Sequence, residues 1–118
     1  VLLAGDIEES AEQAIVEAYQ GSDKLNADIL LAPHHGSRTS STLAFVRAVS
    51  PSFVIFTAGY NNRWGFPADE VVSRFENIDA VLLNTGLHGR VRLTVDKQAI
   101  QVSRYRQDEY NRWFNQTR

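Results

Sequence analysis

The sequence contains no cysteine, and histidine occurs only at positions 34, 35 and 88 of the 118 residues. The absence of cysteine excludes a disulfide framework and any metal site built on thiolates. No apolar run approaches the roughly 20 residues that a helix needs to span a bilayer. The apolar content of 43% and the charged content of 22% are those of an ordinary globular protein.

The chain starts inside an apolar segment, Val1–Ala4, and has no initiating methionine. This predicts a fragment excised from a longer protein, with residues 1–118 forming a single partial domain. Residues 1–28 carry seven acids and one lysine, whereas residues 90–118 carry six arginines and one lysine against three acids. A basic end of this kind favours polyanions or anionic membrane surfaces, although a solvated face explains the same density of charge.

Apolar runs alternate with helical patterns along most of the chain. Four short runs predict buried strands, at residues 1–4, 28–33, 53–56 and 80–83, and their unbroken hydrophobicity is typical of parallel strands. Residues 91–95 and 100–102 instead alternate apolar and polar side chains, which predicts an antiparallel hairpin. The order of elements predicts an α/β layered fold.

Helical spacing and capping residues place the helices between these strands. The first helix is expected to begin near Ile7, capped by Asp6 with Glu9, and to bury the stripe Ala11, Ala14, Ile15, Ala18 and Tyr19. Ser40 or Ser41 is expected to cap a second helix. Pro67 suits the first turn of a third. A closing helix is expected to carry Tyr110, Trp113 and Phe114.

Right-handed crossovers would bring the loops after the first three strands to one edge of the sheet. These loops contain Asp6, then His34, His35 and Ser37, then Asn61, Asn62, Arg63 and Trp64. Asp6 could be a metal ligand or a helix cap. One of the two adjacent imidazoles is expected to face this edge while the other packs or hydrogen-bonds backwards. The imidazole that faces the edge could ligate zinc, transfer a proton or bind phosphate.

The remaining polar residues of these loops have two interpretations each. Ser37, Asn62 and Arg63 could hold phosphate oxygens. Alternatively, Ser37 could cap a helix, and Asn62 and Arg63 could form an exposed turn. Gly36 would allow a ligand or another backbone segment to approach closely. Trp64 and Phe66 are expected to pack within their loop rather than to stack on bases.

Three segments together resemble the metallo-β-lactamase-like domain of the ComEC family of bacterial DNA-uptake proteins. They are Leu2-Leu3-Ala4-Gly5-Asp6-Ile7-Glu8, Pro33-His34-His35-Gly36-Ser37-Arg38-Thr39-Ser40-Ser41 and Asn62-Arg63-Trp64-Gly65-Phe66-Pro67. The resemblance implies that the chain is the C-terminal half of a four-layer αββα sandwich. It implies that Asp6 binds metal and that His34 and His35 lie at the active site of a metal-dependent phosphodiesterase acting on the DNA strand that is not taken up.

The resemblance also implies a soluble domain on the periplasmic side of a membrane-embedded parent protein. The family's His-x-His-x-Asp-His motif is absent here, and Phe66 stands where many relatives have the last metal-binding histidine. The alternative function is therefore a non-catalytic domain that guides DNA or docks a partner. We expect zinc or manganese only in the complete domain, and an inactive fragment that self-associates through an exposed sheet face.

Overall fold

Four parallel strands form the centre of the fold. The computed structural model describes residues 1–106. The strands are β1 (Leu2–Leu3), β2 (Ile29–Leu31), β3 (Phe53–Phe56) and β4 (Val81–Asn84), and they lie side by side in chain order. The helices between them are α1 (Glu9–Ala18), α2 (Leu43–Val49) and α3 (Asp69–Glu76). This confirms the α/β fold class and its parallel sheet.

One face of this sheet carries the hydrophobic core. Leu2, Leu30, Val54 and Leu82 are aligned across the four strands, so their side chains point to the same face. Leu30 and Val54 are completely buried there, against residues of α2 and α3 that include Phe45, Val46, Val49, Val71 and Phe75. The chain-order connections therefore stack α1, α2 and α3 on this face, as right-handed crossovers require.

Only part of the apolar stripe predicted for α1 is inward-facing, since Ile15 packs against the core and Ala11 is half-buried. Ala14, Ala18 and Tyr19 are exposed, and Glu12 is completely buried. Its carboxylate accepts hydrogen bonds from the backbone N–H groups of Ser41 (2.6 Å) and Thr42 (2.8 Å). These bonds satisfy donors at the start of α2, so a charged side chain on one helix stabilises the beginning of the next.

The predicted helix starts and caps were also wrong in detail. α1 begins at Glu9 after Glu8, without a side-chain cap from Asp6. The cap of α2 is Thr42, whose side chain accepts from Phe45 N–H, while Ser40 donates to the carbonyl of Ile7 at 2.6 Å. Pro67 precedes α3 rather than opening it, because Ala68 is the N-cap.

The predicted hairpin is confirmed as β5 (Val91–Val95) paired antiparallel with β6 (Ile100–Arg104). It follows a short helix, α4 (Thr85–His88). In the hairpin turn, hydrogen bonds from the N–H groups of Gln98 and Ala99 lower the pKa of Asp96. The closing helix predicted around Tyr110, Trp113 and Phe114 lies outside the described residues.

The second face of the sheet is partly open. Leu3, Leu31 and Ile55 are aligned on it with Leu83. Leu3 is 72% exposed and the side chains of Leu31 and Ile55 are half-buried, whereas Leu83 is completely buried. Val81 on the same face is 46% exposed. No helix in residues 1–106 is long and apolar enough to cross a membrane.

The histidine-containing loop is a short 3₁₀ turn, Pro33–Gly36, that packs directly on the loop before α3. Gly36 has φ +86°, and a Cβ added there would lie 2.6 Å from Cβ of Pro67 and 2.8 Å from Cδ1 of Phe56. The Gly36 carbonyl accepts a hydrogen bond from Ala68 N–H at 2.9 Å. The close approach predicted for Gly36 is therefore an approach of backbone to backbone, and it joins two of the three loops.

Replacing Gly36 by alanine should lower the free energy of unfolding by about 3 kcal/mol, since it adds a left-handed backbone penalty and a steric clash. Gly65→Ala is the matched control, because Gly65 also has a positive φ of +68° but has no atoms near its missing Cβ. The control should lose only about 1 kcal/mol. Equal losses in urea-induced unfolding would show that the contact with Pro67 does not constrain the fold.

Candidate functional site: a cavity at the carboxyl edge of the sheet

The loops that follow β1, β2 and β3 meet at one edge of the sheet, as predicted. A cavity of about 560 Å³ lies at this edge. Its walls are formed by residues of the second and third loops: His34, His35, Thr57, Ala58, Gly59, Asn62, Trp64 and Phe66. Asp6 and Glu8 of the first loop approach the two imidazoles. Polar and aromatic groups from distant parts of the chain therefore share one concave surface.

Both histidines line this cavity, so the prediction that only one of them faces it was wrong, although His35 does hydrogen-bond backwards, to Thr57. The reason lies in the backbone, because His34 (φ +49°) and His35 (φ +59°) are both left-handed. Two consecutive non-glycine residues in this region cost of order 1–3 kcal/mol each. The turn brings their ring centroids to 6.2 Å from each other. Strain of this kind is concentrated at functional sites.

His35 is held in one tautomer by the end of β3. Its Nδ1 lies 2.7 Å from the carbonyl oxygen of Thr57 and 3.1 Å from the Thr57 hydroxyl. A carbonyl oxygen only accepts, so Nδ1 carries the proton that it donates. Nε2 then faces Oδ1 of Asp6 at 3.5 Å. Either Nε2 is also protonated and forms an ion pair, or its lone pair is available to a cation placed beside the carboxylate.

His34 is paired with a second carboxylate. Its backbone N–H donates to the carbonyl of Gly5 at 2.8 Å, which ties the turn to the end of β1. Its Nδ1 lies 3.2 Å from Oε1 of Glu8. The distance is that of an ion pair, but the alignment is not that of a hydrogen bond, and this buried nitrogen has no hydrogen-bond partner among residues 1–106. An imidazole beside a carboxylate is suited to general acid–base chemistry.

Part of the cavity wall is aromatic and is formed by Trp64 and Phe66. Phe66 lies 6.4 Å from the ring of His35 with an interplanar angle of 16°, and 6.2 Å from the ring of Trp64 at 18°. The guanidinium of Arg63 lies 4.6 Å from the centre of the Trp64 ring. Trp64 is 63% exposed, so the expectation that it packs within its loop holds only for its contact with Phe66. Much of the indole is open to solvent.

Asn62 and Ser37 make intramolecular contacts that shape the loops. The Asn62 side-chain NH₂ donates to the carbonyls of Phe66 (2.8 Å) and Gly59 (3.1 Å), and its Oδ1 accepts from Phe66 N–H (2.9 Å). Ser37 is buried and bonded to Thr39. Asn62 lines the cavity and Ser37 does not. The roles predicted for Ser37, Asn62 and Arg63 in holding phosphate stay predictions.

Two residues that contribute to this geometry were missed from the sequence. Thr57 orients His35, and its position immediately after β3 was the available signal, since residues at strand carboxyl ends form the sites of parallel sheets. Glu8 approaches His34. Nothing in its spacing distinguishes it from the other acids near the start of α1.

The donor set present in residues 1–106 includes no group of three or more histidine, aspartate or glutamate side chains arranged to hold a metal ion. The pair formed by Asp6 and His35 offers two ligands. Phe66 places an aromatic ring about 6 Å from both imidazoles, where a third donor would otherwise be available.

Three curated relatives are similar to nearly the whole chain. YcaI, an uncharacterised protein of Escherichia coli, is 31% identical over 116 residues, which cover 98% of this chain and 15% of YcaI. Competence protein ComA of Neisseria gonorrhoeae is 32% identical over 106 residues, covering 90% of this chain and 15% of ComA. Recombination protein 2 of Haemophilus influenzae is 29% identical over 114 residues, covering 97% of this chain and 14% of that protein.

No family model matches the chain, and no solved structure matches it. The chain spans about 15% of the length of the curated relatives that it matches. ComA and Recombination protein 2 are members of the ComEC family. The resemblance to this family is thus shown, and the chain is a homologue of one segment of the ComEC-family proteins.

Proposed function

We propose that this chain is the DNA-handling segment of a ComEC-like DNA-internalisation protein, and that the complete protein hydrolyses phosphodiesters of the strand that is not taken up. The observation that carries the proposal is the orientation of His35, whose Nδ1 is fixed by Thr57 while its Nε2 faces Asp6. The names of two relatives, which refer to competence and to recombination, support a role in DNA metabolism.

Asp6 and His35 would hold a divalent cation from two sides in this proposal. A histidine that ligates a metal usually donates its second ring N–H to a carbonyl or carboxylate, and His35 already makes that bond. Catalytic zinc sites usually have three protein ligands, so further donors would have to come from chain outside residues 1–106. A bound zinc or manganese ion would supply a Lewis acid at the phosphoryl oxygen.

The other side chains of the cavity would bind and orient the substrate. His34, beside Glu8, would hold or transfer a proton at its imidazole. Arg63 is exposed next to Trp64, which lines the cavity, and its guanidinium would attract a phosphate there. The proposal places this segment on the periplasmic side of the bacterial inner membrane, in a membrane-embedded parent protein.

A non-catalytic DNA-guiding or docking domain is the second candidate, and Phe66 favours it. Phenylalanine cannot coordinate a metal, and its ring occupies the space next to both imidazoles. The basic residues of positions 90–118 would then provide phosphate contacts. Binding of this kind weakens steeply with salt, because each neutralised phosphate releases counterions.

The decisive experiment compares cleavage and binding of linear DNA by the complete protein that contains this segment. With Mn²⁺ or Zn²⁺ present, we expect cleavage, and we expect His35→Ala to slow it by about 100-fold or more. His88→Asn is the control, since it keeps an acceptor for the N–H of Asn84 at a position outside the cavity. Salt-dependent binding without cleavage would support the guiding domain instead. The absence of both binding and cleavage would exclude both functions.

Replacing Phe66 by histidine should strengthen Zn²⁺ binding by the 118-residue chain at least about tenfold, because it adds a third donor to those of Asp6 and His35. Isothermal titration of Zn²⁺ at neutral pH measures this effect. Tyr60→His is the control, since Tyr60 is exposed and does not line the cavity. If Phe66→His behaves like this control, the imidazoles are not arranged around a cation.

The open face of the sheet is the proposed interface with the other half of a four-layer sandwich. Without that half, we expect the 118-residue chain to self-associate through this face, whose exposed apolar residues include Leu3 and Val81. Leu3→Lys should shift the chain towards monomer in sedimentation-velocity experiments, because it places a charge in the apolar contact. Tyr60→Lys, at the cavity edge, should not. A monomeric parent chain at all concentrations would contradict this interface.

A further inference from the structure

We propose that the aromatic wall of the cavity binds one unpaired nucleobase of a DNA strand, which stacks on Trp64 and Phe66. This inference rests on the proposed role in DNA handling and names the form of DNA that the site takes, namely a single strand. It assigns a binding function to this aromatic wall. Trp64 was expected to be a packing residue, and its exposure is what the proposal explains.

The first argument is the geometry of the rings. The ring planes of His35 and Trp64 are nearly parallel to that of Phe66, at 16° and 18°. Centroid separations of 6.4 and 6.2 Å leave the rings offset, so part of each face is uncovered. A flat conjugated ligand can contact such faces, and every base has one, which makes stacking tolerant of sequence.

The second argument is the charge around the cavity. Asp6 is 75% exposed and Glu8 is 53% exposed beside the imidazoles, so in the absence of a cation their carboxylates repel a phosphate from that side. The aromatic side carries Arg63, whose guanidinium lies over Trp64. A neutral base in the cavity is not repelled by the carboxylates, and its phosphate is attracted by Arg63. An anionic group in the cavity itself would be repelled by the carboxylates when no cation is bound.

The third argument is that the aromatic wall is already in place. Three hydrogen bonds of Asn62 close the loop between Gly59 and Phe66. Gly36 packs against the adjacent Pro67. A binding surface ordered before the ligand arrives loses less conformational entropy on binding. The cavity volume of about 560 Å³ is within the range of small-ligand sites, and is sufficient for a base.

The bound base must be unpaired, because pairing and stacking inside a duplex cover the faces and edges that the cavity would contact. A duplex would therefore reach only the outer residues of this edge, such as Arg63. The proposal predicts a preference for single strands that depends on the presence of bases and not only on the phosphate backbone.

The test compares oligothymidine with an abasic strand of the same length, about ten nucleotides, each titrated into the 118-residue chain. Trp113→Phe serves as the background, so that fluorescence reports on Trp64 alone. We expect oligothymidine to quench this fluorescence and to bind at least about fivefold more tightly than the abasic strand. For variants at Trp64, binding is measured by the fluorescence anisotropy of end-labelled strands, and Trp64→Ala should remove the difference while Trp64→Phe should retain part of it.

Tyr60→Ala is the matched control, since Tyr60 is another exposed aromatic residue of the same loop but does not line the cavity. It should leave the preference unchanged. Equal, salt-dependent binding of both strands would overturn base stacking while leaving the proposed DNA-handling function in place. Binding of neither strand, combined with no DNA binding by the complete protein, would overturn both.

Discussion

The contact between Gly36 and Pro67 is the constraint on which the geometry of the site depends. Neither residue lines the cavity, yet their separation leaves no space for a single Cβ. The histidine turn and the loop that carries Trp64 and Phe66 are therefore fixed relative to each other by close packing, which is discrete rather than continuously adjustable. The strained backbone at His34 and His35 is tolerated because its next residue is held in this way.

The orientations of the two imidazoles follow from the ends of rigid strands. The carbonyl of Gly5, just after β1, accepts from the backbone of His34, and the carbonyl of Thr57, just after β3, accepts from the ring of His35. Groups built on regular elements are positioned more precisely than groups on loops alone. The turn after β2 thus takes its geometry from both neighbouring strands, and this brings Glu8 and Asp6 to separate imidazoles.

Some of this arrangement could be predicted from the sequence and some could not. The runs Phe53–Phe56 and Ile29–Leu31 predicted parallel strands, because continuous hydrophobicity is a local property. The inward face of α1 was predicted only in part, because it contains Ile15 but also the buried Glu12, whose partners Ser41 and Thr42 are about 30 positions away. The left-handed conformation of His34 and His35 also escaped prediction, since it is imposed by tertiary contacts and not by residue type.

The position of Phe66 separates the two chemistries that this cavity could perform. A histidine there would add a nitrogen donor near His34 and His35, whereas phenylalanine extends the series of parallel rings from His35 to Trp64. One side chain cannot do both. Phenylalanine at position 66 removes a possible metal ligand and adds an apolar surface next to an exposed indole. Residues 1–106 contain the aromatic wall but no group of three or more possible metal ligands. Binding a DNA strand would therefore require fewer residues from outside this segment than cleaving one would.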